Sequence, residues 1–157
     1  MRIGIGVDAH AFDDGATLVL GGVEFEGERG LAGHSDGDVV THALIDAILG
    51  AANLGDIGTL FPSDDESLAG ISSLLLLGRA YGRVRDSGLE LVYADCILIG
   101  ERPRVAARRD EMRARLAEPL GVDVDRVAVG ATTTDRLGFT GRGEGLAAQA
   151  VALLAPT

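Results

Sequence analysis

The 157-residue chain has the length of one ordinary domain, and its 46% hydrophobic content excludes an intrinsically disordered protein. Its formal net charge of −10 argues against a nucleic-acid-binding surface, although local arginines could still bind phosphate groups. No stretch approaches the roughly 18 consecutive apolar residues of a membrane span, and no basic, hydrophobic leader precedes the first predicted strand. We therefore expect a single domain over residues 1–157 that is cytoplasmic and binds neither nucleic acid nor membranes.

The first predicted strand alternates small and aliphatic residues and ends in the sequence Asp-Ala-His. An extended backbone divides its side chains between two faces. One face is apolar and consists of Ile3, Ile5, Val7 and Ala9. The other carries Gly4 and Gly6, which indicate close packing or a bend, and then Asp8 and His10. Because the apolar face is too hydrophobic for water, we expect it to be buried against other copies of the chain.

A hairpin and a helix are predicted to follow the first strand. Two β-prone runs flank Gly21 and Gly22, which can adopt the positive φ angles that a type I′ turn requires. From Asp38 onward the apolar residues recur at helical spacing, and Ser35 or Asp36 is expected to cap the start of this helix.

The second half of the chain is predicted to alternate helices and strands. The predicted elements are a helix over 67–86, a strand over 89–100, a helix from Pro103 to Leu116, a strand over 126–134 and a final helix over 144–154. This order predicts an α/β sandwich with one mainly four-stranded sheet, helices on one face and a small hairpin. The single cysteine, Cys96, lies in an apolar run and is expected to be a buried, unreactive thiol without a disulfide partner.

The helix that begins near Asp38 carries His42 one turn further on. If this helix packs beside the end of the first strand, His42 joins Asp8 and His10. Two imidazoles and one carboxylate with an open fourth position are typical of a catalytic zinc, whereas a structural zinc normally has four protein ligands, usually including cysteine. Cys96 lies elsewhere, which favours the open site. The alternatives are a strand end that caps a turn and a histidine packed on a helix face.

Four further segments are candidate binding elements. His34 and Ser35 precede a helix N-terminus, where free N–H groups attract phosphate, although Ser35 could simply cap the helix. The connection over 54–65 is long and rich in turn residues, which is typical of a binding loop and also of a solvated linker. Segment 131–145 combines three hydroxyls, an acid and glycines that can bind phosphate oxygens and a divalent cation. Segment 100–105 offers two arginines that could equally form an exposed basic rim.

Together, the segments GVDAH, GHSDGDVVTHALIDAILGAANLGDIGTLFPSDD and ATTTDRLGFTGRGEG resemble the 2-C-methyl-D-erythritol 2,4-cyclodiphosphate synthase family of the non-mevalonate isoprenoid pathway. The resemblance extends over the whole chain. It implies a homotrimer with active sites between adjacent subunits, whose sheets pack together. It also implies a cyclisation in which the 2-phosphate of 4-diphosphocytidyl-2-C-methyl-D-erythritol 2-phosphate attacks the β-phosphorus, and CMP leaves.

The resemblance also implies roles for individual residues. The implied zinc ligands are Asp8, His10 and His42. Asp135 is implied to hold a second divalent cation, Mg²⁺ or Mn²⁺, with the substrate diphosphate, and His34 and Thr133 to stabilise the transition state. The implied contacts of the methylerythritol phosphate end are Asp8, His10, His34, Ser35, Asp56, Gly58 and the loop from Phe61 to Asp65. The remaining implied contacts are Gly100, Arg104, Ala106, Ala131, Thr132, Thr133 and Asp135 for the nucleotide diphosphate, offered by the neighbouring subunit, and Phe139 and Arg142 near the central cavity of the trimer.

The chain departs from the family pattern at several of these positions. Ile5, Val7 and Gln149 stand where the family usually has His, Phe and Glu around the central cavity, so affinity of that cavity for isoprenoid phosphates is not carried over. Asp135 replaces Glu, which shortens the arm to the second metal. Arg104 replaces Lys, which preserves the charge and changes its geometry.

Two functions of other classes use the same residues. One is a non-catalytic, zinc-dependent trimer that binds isoprenoid or nucleotide diphosphates as a regulator. The other is a zinc phosphohydrolase that activates water at the open metal position. Release of CMP without inorganic phosphate would distinguish the synthase from both.

Overall fold

A mixed five-stranded sheet with helices packed on one face forms the body of the molecule, in a computed structural model that describes residues 1–157. The strands are β1 (Arg2–Asp13), β2 (Val19–Leu20), β3 (Val23–Glu24), β4 (Gly30–Leu31), β5 (Leu89–Ile99), β6 (Val127–Thr132) and β7 (Gly145–Pro156). The α-helices are α1 (Val39–Ala52), α2 (Ile57–Leu60), α3 (Ser73–Asp86), α4 (Arg109–Leu120) and α5 (Gly138–Gly141). The sheet order is β4-β1-β7-β5-β6, and β2 and β3 form the separate hairpin. The predicted α/β fold class is confirmed.

The C-terminal segment is a strand, so the predicted final helix over 144–154 is wrong. β7 is the central strand and pairs antiparallel with both β1 and β5. Its alanines and leucines have good helix propensity, but every second one is buried under the helix layer, as at Ala148, Ala150 and Ala152. Packing against two strands and α1 therefore overrides local propensity.

Two predicted helices begin later in the structure than in the sequence analysis. α3 begins at Ser73 instead of residue 67, because Gly70 adopts a φ of +70° and separates the helix from a short 3₁₀ turn. Pro103 does not begin a helix, since α4 begins at Arg109 after another 3₁₀ turn. None of the helices combines the length and the apolar character that crossing a membrane would require.

Asp38 connects the hairpin to α1. Its carboxylate accepts the backbone N–H and the hydroxyl of Thr41, so it caps the helix, and the prediction of Ser35 or Asp36 as the cap is wrong. It also accepts the N–H groups of the two glycines in the hairpin turn, whose φ angles of +58° and +75° confirm the predicted turn. Burial raises the pKa of Asp38, although these hydrogen bonds oppose the rise.

The backbones of β1 and α1 are in direct contact. A Cβ atom at Gly4 would overlap the carbonyl oxygen of Ala47, and one at Gly6 would overlap that of Ala43. The predicted close packing at these glycines is confirmed. α1 lies directly over the strand that carries Asp8, which brings the first turn of the helix to the polar end of the strand.

The sheet face opposite the helices exposes a continuous apolar surface, which we call the outer face. Strand register places Val7 of β1 and Ile97 of β5 on either side of Gln149. Its large exposed apolar side chains are Ile3, Ile5, Val7, Tyr93, Ile97 and Val151. Ile3 and Val7 are 73% and 64% exposed, so the predicted division of β1 into two faces is confirmed. Cys96 faces the helices, and burial raises its pKa to about 12, as expected for an unreactive thiol.

We predict that Gly6→Ala lowers the free energy of unfolding by about 1–3 kcal/mol, because the added methyl group forces α1 away from β1. Urea unfolding at a fixed protein concentration measures the change. Gly82→Ala is the control, since a Cβ there meets no atom within 4 Å in the middle of α3. Equal stability of both variants would contradict the close contact between α1 and β1.

Candidate metal centre

Asp8, His10 and His42 meet in the second half of β1, and we call these three residues the metal-ligand cluster. The strand continues to Asp13, where it pairs with β4, so the prediction that it ends at His10 is wrong. Oδ2 of Asp8 lies 2.6 Å from Nε2 of His10 and 3.2 Å from Nδ1 of His42. The two ring nitrogens are 3.3 Å apart. All three residues offer a ligand atom within 4.8 Å of the others, so the prediction that α1 brings His42 to Asp8 and His10 is confirmed.

Hydrogen bonds on the far side of each ring orient the two histidines. Nδ1 of His10 is 2.6 Å from the carbonyl oxygen of Ala32, which can only accept, so Nδ1 carries the proton and Nε2 faces the cluster. Nε2 of His42 lies 2.9 Å from the hydroxyl of Ser35 and 2.8 Å from that of Ser73, so Nδ1 faces the cluster. Each ring therefore directs a specific nitrogen toward Asp8.

The electrostatics of the cluster favour positive charge at its centre. Burial alone would raise the pKa of Asp8, but hydrogen bonds with His10 and His42 outweigh it and lower that pKa to about 2. Burial opposes charge on His10, yet the hydrogen bond and ion pair with Asp8 raise the pKa of this imidazole. The ionised carboxylate thus attracts either a proton on His10 or a metal ion.

The donor set fits a tetrahedral metal ion. Bonds of about 2.0–2.1 Å to nitrogen and oxygen separate the ligand atoms of a tetrahedron by roughly 3.3 Å. Both distances to Nδ1 of His42 agree with this value, and the 2.6 Å contact between Asp8 and His10 would lengthen on binding. The cluster supplies three ligands, which leaves one position for water or substrate.

A cavity of about 560 Å³ opens beside the metal-ligand cluster. Its lining residues are Asp8, His10, His34, Ser35, His42, Ile57, Gly58, Phe61, Pro62, Ser63, Asp64, Leu68 and Leu76. The structure therefore brings together the cluster, the His34-Ser35 pair and most of the loop from Gly58 to Asp64. This arrangement places hydroxyl, imidazole and apolar groups around the cavity beside the cluster.

Asp56 and Asp65, two predicted substrate contacts, do not line this cavity and instead cap its loop. Asp56 accepts the hydroxyl and the N–H of Thr59, and these hydrogen bonds lower its pKa. Asp65 accepts the hydroxyl and the N–H of Ser67 with the same effect. The backbone carbonyl of Asp65 accepts a 2.7 Å hydrogen bond from Nε2 of His34, which fixes that ring at the rim.

The other predicted substrate contacts lie at the same edge of the sheet but outside this cavity. β5 and β6 are parallel, and the N–H of Gly100 donates to the carbonyl of Thr132 at their ends. One strand separates β1 from β5, which corresponds to about 10 Å between their backbones. No residue of 100–106 or 131–135, including the exposed Arg104, Ala106 and Ala131, lines the cavity at the cluster.

The segment after β6 makes a tight turn that exposes Asp135. Asp135 and Arg136 have φ angles of +53° and +66°, and the N–H of Asp135 donates to the hydroxyl of Thr133 at 3.3 Å. Oε1 of Glu101 accepts the N–H of Arg136 at 3.2 Å and so joins the segment that follows β5 to the segment that follows β6. Glu101 is not among the predicted site residues, because it lies 35 residues from its partner and no local motif connects the two.

Phe139 and Arg142 lie outside the cavity at the cluster. Phe139 is 44% exposed and lines a separate, shallow cavity with Ala9, His10, Ala11 and Glu144. Arg142 forms an ion pair with Glu144 through Nε and Nη2, at 3.0 and 2.9 Å.

The sequence is similar to those of known proteins over almost its whole length. A family model described as "YgbB family" matches residues 1–155. The chain belongs to this family. A 2-C-methyl-D-erythritol 2,4-cyclodiphosphate synthase from Rubrobacter xylanophilus is 55% identical over 156 residues, which cover 98% of this chain and 94% of that protein.

Two solved structures of family members have the same fold. The bifunctional IspDF from Campylobacter jejuni is 42% identical with a TM-score of 0.96, and the match covers 99% of this chain and 42% of that chain. The CDP complex of IspF from Plasmodium falciparum is 31% identical with a TM-score of 0.86, covering 99% of this chain and 96% of that chain.

We predict that His42→Ala lowers the bound metal from about one ion per chain to nearly none while the fold is retained, because the hydrophobic core does not depend on the ion. Elemental analysis and circular dichroism measure the two effects. His34→Ala, which changes the same cavity outside the cluster, should keep its metal. Unfolding of His42→Ala on loss of the metal would instead make the ion structural.

Proposed function

We propose that the protein is a 2-C-methyl-D-erythritol 2,4-cyclodiphosphate synthase. It converts 4-diphosphocytidyl-2-C-methyl-D-erythritol 2-phosphate to the cyclic diphosphate with release of CMP, a step of isoprenoid precursor synthesis. The observation that carries the proposal is the metal-ligand cluster beside a cavity of about 560 Å³, in a chain 55% identical to a relative of that name. The single cysteine is buried and unpaired, which supports a cytoplasmic enzyme.

We infer that the cluster binds one Zn²⁺ per subunit through Oδ2 of Asp8, Nε2 of His10 and Nδ1 of His42. Two imidazoles, one carboxylate and an open position are the usual donor set of a catalytic zinc. When bound, zinc would act as a Lewis acid that neutralises negative charge on the phosphate oxygens. The hydroxyl of Ser35 lies in the same cavity, where it can donate a hydrogen bond to the phosphate. The ring of His34 lines that cavity while its Nε2 donates to the carbonyl of Asp65.

The reaction needs positioning more than it needs a protein nucleophile. An oxygen of the 2-phosphate forms a bond to the β-phosphorus, the bond from that phosphorus to the CMP oxygen breaks, and no water enters. Catalysis of phosphoryl transfer rests on alignment and on neutralisation of spread negative charge. In this proposal the two ends of the substrate bind to the cavity at the cluster and to the segment after β6, and His34 and Thr133 stabilise the transition state at the β-phosphorus between them.

We infer that these two ends bind to different subunits of a homotrimer. The exposed apolar outer face supports association of the sheets, since such a surface is unusual on a monomer. The cavity at the cluster includes none of the nucleotide-side residues, and this supports completion of the site by a neighbour. The CDP complex of the Plasmodium falciparum relative supports a cytidine nucleotide as the ligand of that side.

We further propose that Asp135 holds Mg²⁺ or Mn²⁺ with the substrate diphosphate. Its side chain is exposed at the turn after β6, next to the hydroxyl of Thr133. Magnesium keeps several water ligands and binds only one or two carboxylates. A water molecule can therefore connect the ion to Asp135, whose side chain is one methylene shorter than the family's Glu. The hydroxyls of Thr132 and Thr133 contact the carbonyl of Thr133 and the carboxylate of Asp135, and in this proposal they turn toward the diphosphate when it binds.

We predict that the protein releases CMP in equal amount to cyclic diphosphate, with no inorganic phosphate, because attack is intramolecular. Phosphorus NMR of the reaction with the pathway substrate measures all three species. Inorganic phosphate would indicate a phosphohydrolase, and tight binding without turnover would indicate a regulator. Either result would overturn the proposed activity.

We predict that Asp135→Ala lowers the rate and raises the magnesium concentration needed for half-maximal activity, with zinc content unchanged. Asp135→Glu is the matched variant and should be tolerated, because it keeps the carboxylate. A magnesium titration with elemental analysis tests both effects. Unaltered activity of the alanine variant across the titration would show that Asp135 only shapes the turn.

A further inference from the structure

Ser73 and Asp36 lie behind His42, on the side of the ring away from the metal-ligand cluster. Ser73 is fully buried and is the first residue of α3. Its Oγ lies 2.8 Å from Nε2 of His42 and also contacts Oδ1 of Asp36, while its N–H donates to Oδ2 of Asp36 at 2.9 Å. A continuous hydrogen-bonded chain thus runs from the carboxylate to the imidazole.

Asp36 determines the direction of this chain. A carboxylate oxygen accepts hydrogen bonds, so the hydroxyl proton of Ser73 points to Asp36. A lone pair of the same hydroxyl therefore faces His42, whose Nε2 must carry a proton to donate. In a neutral imidazole that carries this proton, Nδ1 keeps its lone pair and can bind a metal ion held by Asp8 and His10. Nδ1 donates to Asp8 only when the ring carries a second proton.

The hydroxyl of Ser35 has no comparable role. It lies 2.9 Å from Nε2 of His42 and 3.4 Å from Oγ of Ser73, but no carboxylate fixes its orientation. It also lines the cavity, where it can rotate toward a bound phosphate. Ser73, and not Ser35, is therefore the acceptor whose direction is fixed.

Asp36 also holds Ser73 in place through the backbone. Ser72, the residue before α3, makes no side-chain cap hydrogen bond, whereas Asp36 accepts the N–H of Ser73 from another part of the chain. A negative group at a helix N-terminus is favourable, so the carboxylate fixes the start of α3. It accepts the N–H of Asp38 as well, which links the starts of α1 and α3.

We propose that Ser73 and Asp36 are positioning residues that hold His42 in the tautomer with a proton on Nε2 and thereby set the metal affinity of the cluster. The inference rests on the metal centre of the proposed function but not on the reaction. Hydrogen-bond partners of metal ligands typically change affinity by about 10–100-fold when they are removed.

Zinc affinity, measured by competition with a chromogenic chelator, tests this proposal. Ser73→Ala should bind Zn²⁺ about 10–100-fold more weakly than the wild type. Asp36→Asn should also bind Zn²⁺ more weakly. The amide nitrogen that replaces one carboxylate oxygen cannot accept a hydrogen bond, so either the N–H or the hydroxyl of Ser73 loses its acceptor. Ser72→Ala is the matched control at the adjacent position and should bind normally. Melting curves confirm that each variant is folded.

The tautomer of His42 provides a second readout that loss of packing alone would not move. Nitrogen NMR of the imidazole in metal-free protein should show the Nε2–H form in the wild type and Ser72→Ala, and a mixture in Ser73→Ala. The proposal would be overturned if Ser73→Ala had the Zn²⁺ affinity and the His42 tautomer of the wild type. It would also be overturned if Ser35→Ala, and not Ser73→Ala, bound Zn²⁺ weakly and showed a mixture of tautomers. If the wild-type protein binds no zinc, the proposed metal centre and its affinity are overturned, whereas the NMR spectrum still tests whether Ser73 and Asp36 hold the Nε2–H tautomer of His42.

Discussion

The close contact between β1 and α1 is the constraint on which the rest of the site depends. Gly4 and Gly6 let the helix backbone approach the strand to a distance that any side chain would prevent. His42 in the first turn of α1 consequently reaches the two ligands on β1. Asp38 caps this helix and also binds the hairpin turn. These hydrogen bonds fix where α1 begins along the strand, and the glycines fix how close it lies to the strand.

Charge distribution explains how an acidic protein can bind a substrate rich in phosphate. The chain carries a net charge of −10 and has no lysine, so attraction must be local. A divalent ion bound to the metal-ligand cluster would attract the phosphate at one end of the substrate. In the proposed nucleotide-binding segments, 100–106 and 131–136, Arg102 is paired with Glu28. Two further arginines there, at 104 and 136, have no carboxylate partner within the chain and remain available to phosphate.

The features that could be predicted from the sequence are those encoded by short spacing. Alternation along β1 fixed which side chains face α1, and helical spacing placed His42 near the start of α1. The β7 strand could not be predicted in this way, since its alanines and leucines suit a helix and become a strand only between β1 and β5. Ser73 could not be predicted as a site residue, because a helix that begins at residue 67 would place it in the second turn and not at the N-terminus. Its partner Asp36 also lies 37 residues away in the sequence.

The central claim is that one active site combines the metal-ligand cluster of one copy with the nucleotide-side segment of another. Mixed trimers of His42→Ala and Thr133→Ala chains, refolded together in equal amounts, test it most directly. Each variant alone should be nearly inactive. Random assembly should restore activity to about a quarter of the sites, because each site draws its two halves from different chains. No recovery in the mixture, with mixed trimers verified by mass spectrometry, would contradict a shared site.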